Sequence, residues 1–149
     1  VTSDPALLGW CAGLLDGEGS IGIYGKSLTV RIVMTDEPTI RRVRELLGIG
    51  WIHACTPRPP RRPAWYWFIG HRRRTYDVLT ALRPYLVTKA QQADLALRFL
   101  RDAGLSSEDR KDLARAIASE KHPRAASADE CTRLLSRPSA QLDLRTLGS

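Results

Sequence analysis

At 149 residues the chain is the size of one domain, long enough to bury roughly two thirds of its unfolded surface, and its 43% apolar and 26% charged content excludes a disordered polymer. No run approaches the roughly 18 apolar residues of a membrane span, and the odd, widely spaced Cys11, Cys55 and Cys131 fit neither a disulfide framework nor a zinc site. The net charge of +7 is segregated: no acid occurs between Glu45 and Asp77, while Arg58, Arg61, Arg62, Arg72, Arg73 and Arg74 fall inside that gap, which fits either a face that attracts a polyanion or a solvated basic loop.

Ser3 is placed to cap a first helix, with Pro5 in its first turn and Leu7, Leu8, Cys11, Leu14 and Leu15 at helical spacing up to Asp16. Gly17 and Gly19 tolerate the left-handed geometry of a helix end and mark its stop. Trp10 and Ala12 make this helix apolar almost all round, which predicts packing on more than one side. Ile21 and Ile23, then Leu28, Val30 and Ile32, alternate with smaller or polar residues and predict a hairpin with one buried face. Thr35 or Asp36 caps a second helix that carries Pro38 early, Ile40, Val43 and Leu47 on one side, and Gly48 as its stop. A second hairpin follows, from Trp51 to Thr56 and from Ala64 to Ile69, joined by the proline- and arginine-rich stretch Pro57 to Pro63.

Val78, Leu79, Leu82, Tyr85 and Leu86 predict a third helix interrupted near Pro84. A further run extends from about Lys89 to Ala103, Ser106 caps a last helix containing Leu113 and Ile117, and beyond Pro123 the pattern fades. The order helix, two strands, helix, two strands, helices predicts an α+β domain, αββαββα, with a four-stranded antiparallel sheet. One domain is expected over residues 1–149, with a core of about 4–104 and a C-terminal helical extension of about 105–149. Nothing in the opening residues reads as a secretory leader, so the expected location is intracellular, cytoplasmic in a bacterial or phage-like setting or within an organelle.

Two acids at the end of the first helix carry the chemistry. Asp16 and Glu18 stand where the helix dipole is negative and backbone carbonyls lack partners, so something positive should compensate them. Carboxylate and carbonyl oxygens together suit magnesium or calcium, whereas a pair of exposed turn acids is the plain alternative.

The surrounding stretch, Trp10-Cys11-Ala12-Gly13-Leu14-Leu15-Asp16-Gly17-Glu18-Gly19-Ser20-Ile21, resembles the signature of the LAGLIDADG homing endonucleases, with Glu18 in place of the final Asp. Leu82-Arg83-Pro84-Tyr85-Leu86-Val87-Thr88-Lys89-Ala90-Gln91-Gln92 is similar to that family's second recognisable block, and Lys89 falls on its active-site lysine. The resemblance spans roughly Leu7 to Leu100. It implies that motif helices of two copies pack along a two-fold axis through Gly9, Ala12 and Gly13, although small residues also let a helix lie close to its own sheet. One motif copy implies a homodimer, with Glu18 and the Gly17 backbone as metal ligands.

The implied activity is site-specific hydrolysis of both strands of a long, near-palindromic DNA duplex, with Mg2+ as cofactor and Ca2+ supporting binding without rapid cutting. Glu18 and Lys89 are the implied catalytic residues, and Asp36 stands where the family often has a water-positioning residue, with helix capping as the other role for it. The family's sheet forms a saddle in the major groove. On that footing Tyr24, Thr29, Arg31, Val33, His53, Tyr66 and Phe68 face DNA, Tyr66 and Phe68 having the core as their alternative place. Arg31 is the candidate for reading guanine, while Lys26, Arg58, Arg61, Arg62, Arg72, Arg73 and Arg74 mainly hold the backbone. The alternative within the same fold is a non-cleaving DNA-binding regulator or an RNA maturase that assists intron splicing. No membrane partner is expected.

Overall fold

The Asp4 carboxylate starts helix α1 (Pro5–Glu18) by accepting hydrogen bonds from the backbone N–H of Ala6 (2.9 Å) and Leu7 (3.4 Å). The cap is therefore Asp4 and not Ser3, because Asp4 directly precedes Pro5, whose fixed φ suits the first helical position. In this computed structural model, which describes residues 1–24, 26–56 and 62–119, α1 also outlasts its expected end at Asp16. It runs through Gly17 to Glu18 and enters strand β1 (Gly19–Tyr24) without a loop. Gly19 is extended, at φ −93 and ψ 173, so no left-handed residue ends the helix. Glycine is needed there for room, since a Cβ would sit 2.5 Å from the Leu15 carbonyl oxygen and 2.8 Å from its Cα.

Strand β2 (Ser27–Met34) pairs with β1, and helix α2 (Glu37–Leu47) follows, capped by Asp36 through the Thr39 N–H at 3.0 Å and stopped by left-handed Gly48 at φ 67. Strands β3 (Trp51–Cys55) and β4 (Ala64–Ile69) complete an antiparallel sheet of order β1-β2-β4-β3. The two hairpins thus meet through β2 and β4, which places the centre of the sheet between them. Helix α3 (Arg72–Leu82) starts earlier than Val78, takes in the three consecutive arginines as its first turn, and gives way at Pro84 to a 3-10 turn (Arg83–Tyr85). Helices α4 (Ala90–Arg101) and α5 (Ser107–Ser119) end the described chain, and Ser106 caps α5 by accepting from the Asp109 N–H at 3.0 Å.

The strand period of two decides the two sheet faces. Ile21, Leu28, Val30, Ile32, Trp67 and Ile69 are buried against the helices, each such side chain contributing about 1.5–3 kcal/mol relative to exposure. Leu113, Ala116 and Ile117 of α5 enter the same cluster. Buried Gln92 on α4 ties α5 to the sheet: its Nε2 donates to the carbonyls of Ile21 (3.1 Å) and Ile117 (2.7 Å). Among the described residues no helix is long and apolar enough to cross a membrane. The expectations for Arg58, Arg61, Cys131 and the chain beyond residue 119 lie outside the described residues.

Candidate nucleic-acid interface and acidic site

The sheet face away from the helices is a trough of about 590 Å³ lined by Tyr24, Thr29, Arg31, His53, Cys55, Tyr66 and Phe68. Strand alternation brings them together: Arg31 lies opposite Phe68, Val33 opposite Tyr66, and Tyr66 opposite His53. Tyr66 and Phe68 therefore belong to the open face rather than the core. The helices cover only the other side, and there Trp67 fills the space.

Arg31 is the one permanent charge among the described lining residues. Its Nε donates to Ser20 Oγ at 2.8 Å and its guanidinium carbon stands 5.5 Å from the centre of the Tyr24 ring. Cys55 beside Tyr66 raises the phenol's pKa, by hydrogen bond first and by charge second, with Arg31 opposing. The phenol thus keeps its proton through the neutral range. Ser20, Cys55 and Trp51 also belong to this face, and the sequence reading did not name them as contacts. The two-residue period that selected His53 equally selects Trp51 and Cys55, so the signal was present; Trp51 is 69% exposed on the edge strand.

At the end of β2 lies a smaller depression of about 250 Å³ lined by Glu18, Val33, Met34, Thr35 and Ala64. The two acids of α1 diverge here. Asp16 turns toward the start of α4, accepting hydrogen bonds from the backbone N–H groups of Val87 (2.7 Å), Thr88 (3.2 Å) and Lys89 (2.8 Å). Lys89 Nζ in return donates to the Asp16 carbonyl oxygen, supplying the positive charge that a helix C-terminus favours. Arg83 fixes this connection through a two-point pair with Asp94, its second bond 2.7 Å long. Glu18 stays exposed.

Asp36 follows Thr35 along the chain, and hydrogen bonds from the Thr39 side chain and then its backbone hold its carboxyl below the usual range. The capping role foreseen for Asp36 is present, and its side chain is exposed.

On α1, Trp10 is 40% exposed and Gly13 and Gly17 are exposed, a Cβ at either glycine meeting nothing within 4 Å. Gly9 lies beside them, a Cβ there approaching Tyr85 at 3.8 Å. Ala12 corrects the expectation: it is fully buried inside the protomer, because its helical position faces the sheet rather than the exposed strip. Gly17 takes its place on that strip.

The outlying cations are spread out. Lys26, at the β1–β2 turn, lines a separate depression with Arg110 and Lys111 on the α5 side. Arg72 and Arg73 line another with Arg101; Arg73 is 3.4 Å from Asp77, and Arg72 donates to the Phe99 carbonyl. Arg74 is exposed on the same turn of α3, and Arg62 is exposed just before β4. The structure does not bring these residues into the trough.

The oxygen donors at the end of α1, the Glu18 carboxylate and the carbonyls of the last turn, fit a hard divalent cation. Among the described residues no cluster of three His, Cys, Asp or Glu side chains could hold a metal ion.

No family model matches the sequence, and no curated relative is found. Solved structures do match. The homing endonuclease I-CvuI, in complex with its target in the presence of calcium, aligns over 86% of this chain and 91% of its own, with 17% identity and a TM-score of 0.64. An archaeal intron-encoded homing endonuclease complexed with DNA aligns over 87% and 92%, with 15% identity and a TM-score of 0.61. The LAGLIDADG meganuclease I-AabMI, bound to uncleaved DNA, aligns over 80% of this chain but 50% of its own, with 18% identity and a TM-score of 0.58.

Proposed function

We propose that this chain, which has the fold of the LAGLIDADG homing endonucleases, is a site-specific DNA endonuclease that acts as a homodimer on a near-palindromic duplex and cuts both strands with magnesium. The reading rests on the split between the two acids: Asp16 is occupied by three backbone N–H groups, whereas Glu18 is exposed and lines the depression at the end of β2. Each part then has a task. The trough takes a major-groove half-site, Arg31 and its polar neighbours meeting base edges. Two α1 helices approach along Gly9, Gly13 and Gly17, where no side chain keeps backbones apart, and Trp10 covers the seam.

That approach brings one Glu18 from each copy to the two-fold axis. When bound, magnesium supplies polarisation of the scissile phosphate and a more acidic attacking water. Glu18 and the Gly17 carbonyl would hold it, and the Lys89 ammonium, anchored on the same helix turn, would favour negative charge building on the phosphate. Asp36, beside the Glu18 depression, is left as a cap that also orders water.

The test is incubation with a library of near-palindromic duplexes, in magnesium and then in calcium. The expected result is a double-strand break with short 3′ overhangs in magnesium and binding without rapid cutting in calcium. Glu18→Gln should bind and not cut. Undiminished cutting by that variant removes Glu18 from the chemistry, and selective binding with no scission in magnesium favours a regulator or maturase instead.

A further inference from the structure

Among the described residues, Arg31 is the arginine that lines the trough. It lies half-buried on the trough floor, and among the described residues no carboxylate pairs with it. Arg41, Arg42, Arg73, Arg83, Arg98, Arg101 and Arg115 each approach an acid, and Arg44, Arg72 and Arg110 donate to backbone carbonyls, all of them away from the trough. For Arg31 the partners are neutral: the Ser20 hydroxyl, its direct cross-strand neighbour, and the face of the Tyr24 ring. Between those two on the same face of β1 stands Gly22, which has no side chain to intervene.

We infer that Ser20 is a positioning residue for base recognition, holding Arg31 end-on toward a guanine in each half-site of the DNA target. The inference rests on the DNA-binding reading and deepens it. An arginine presents five N–H donors in a rigid fork. With Nε committed to Ser20 Oγ at 2.8 Å, both terminal amino groups stay available and point away from the tether. Those two groups match the two acceptors, O6 and N7, on the guanine edge in the major groove, which no other base presents together. A neutral tether orders the side chain without cancelling its charge, whereas a carboxylate would compete with the base. Phe68 opposite Arg31 and Thr29 along the strand surround it with uncharged groups, so the charge has no other anionic partner on the floor. A phosphate-holding arginine needs no such ordering, since a phosphate accepts from many directions.

The experiment selects duplexes from a randomised library with the full chain in calcium, then measures binding to the selected duplex and to versions substituted at single positions. Parent protein should prefer guanine at one position per half-site, and Arg31→Ala should lose that preference by on the order of tenfold to a hundredfold. Ser20→Ala should weaken discrimination at that same position by roughly threefold to tenfold while leaving the other positions and the salt slope of binding unchanged. Ser20→Thr, which keeps the hydroxyl, should restore it. Thermal melts matching the parent establish that the variants fold. Discrimination in Ser20→Ala equal to the parent's, or a loss shared equally by every duplex, overturns the positioning role while DNA binding stands. Failure of the parent to select any duplex overturns the DNA-binding reading and this inference with it.

Discussion

Asparagine in place of Asp16 tests whether this acid is a structural anchor for the turn before α4 rather than a second metal ligand. In the parent, one carboxylate oxygen serves the Lys89 N–H at 2.8 Å and the other serves Val87 and Thr88 at 2.7 and 3.2 Å. An Asn amide has a single acceptor oxygen, and its NH2 turned toward a backbone N–H sets donor against donor. One side of the arrangement must fail. Hydrogen bonds to a charged group are each worth about 1.5–3 kcal/mol, but these are partly solvated, so we expect about 1–2 kcal/mol for Asp16→Asn and about 2–3 kcal/mol for Asp16→Ala. For a domain of this size that is a fall in Tm of roughly 3–6 °C for Asn and more for Ala.

The assay is thermal unfolding followed by circular dichroism, in a chelator and without DNA, so that metal binding contributes nothing. Glu18→Gln, in the same buffer, should melt at or slightly above the parent temperature, because removing a carboxylate from a helix C-terminus relieves an unfavourable dipole contact. A parent-like melt for Asp16→Asn together with a marked loss for Glu18→Gln would exchange the roles assigned to the two acids and refute the reasoning.

Gly13→Leu should leave the melting temperature of the isolated protomer unchanged or raised, since a Cβ there meets nothing and glycine is the weaker helix former by about 1 kcal/mol against alanine, yet it should abolish dimerisation as read by sedimentation. With a thiol-alkylating reagent at pH 8, Cys11 should stay unlabelled in the native protein, because burial pushes its pKa to about 11 and leaves about one thiolate in a thousand. Cys55 should label and be protected by bound duplex, as peptide mass mapping would read; labelling of Cys55 undiminished by bound duplex would misplace the trough. Asp36→Ala should lower stability at neutral pH by an amount that disappears in acid. The folded carboxyl lies below its unfolded value of about 3.9, so its contribution is present above that pH and is lost as pH falls through the depressed folded value. The gap between the melting curves of parent and variant should therefore hold from pH 7 down to about pH 4 and shrink only as the pH falls further.

How much of this was legible beforehand follows from which signals are local. The strand period of two assigned Leu28, Val30 and Ile32 to a buried face, and burial agrees at each; joined to the family resemblance it set Tyr24, Arg31 and His53 on the opposite face, where they line the trough. That period acts residue by residue, so one chain segment suffices to read it. Gly48 as the stop of α2 and Ser106 as the cap of α5 were readable for the same reason. The end of α1 was misjudged because Gly17 and Gly19 look alike in sequence. Only the crowding of Gly19 against Leu15 gives the second its reason and leaves the first inside the helix.

Residues far apart in the chain could be joined only by folding. That Asp16 anchors the turn before α4 and Glu18 does not depends on where a turn some seventy residues later comes to rest. The same holds for Ser20 under Arg31, which needs the register of β1 against β2, and for Ala12, buried because the sheet happens to lie on its side of the helix. Local patterning, a property of bond geometry and side-chain polarity, thus determined the elements, their faces and the stretch that bears the acids. Which acid is bound and which is exposed was decided by tertiary contact, because a carboxylate's partners are set by what packs against it and no periodicity encodes that.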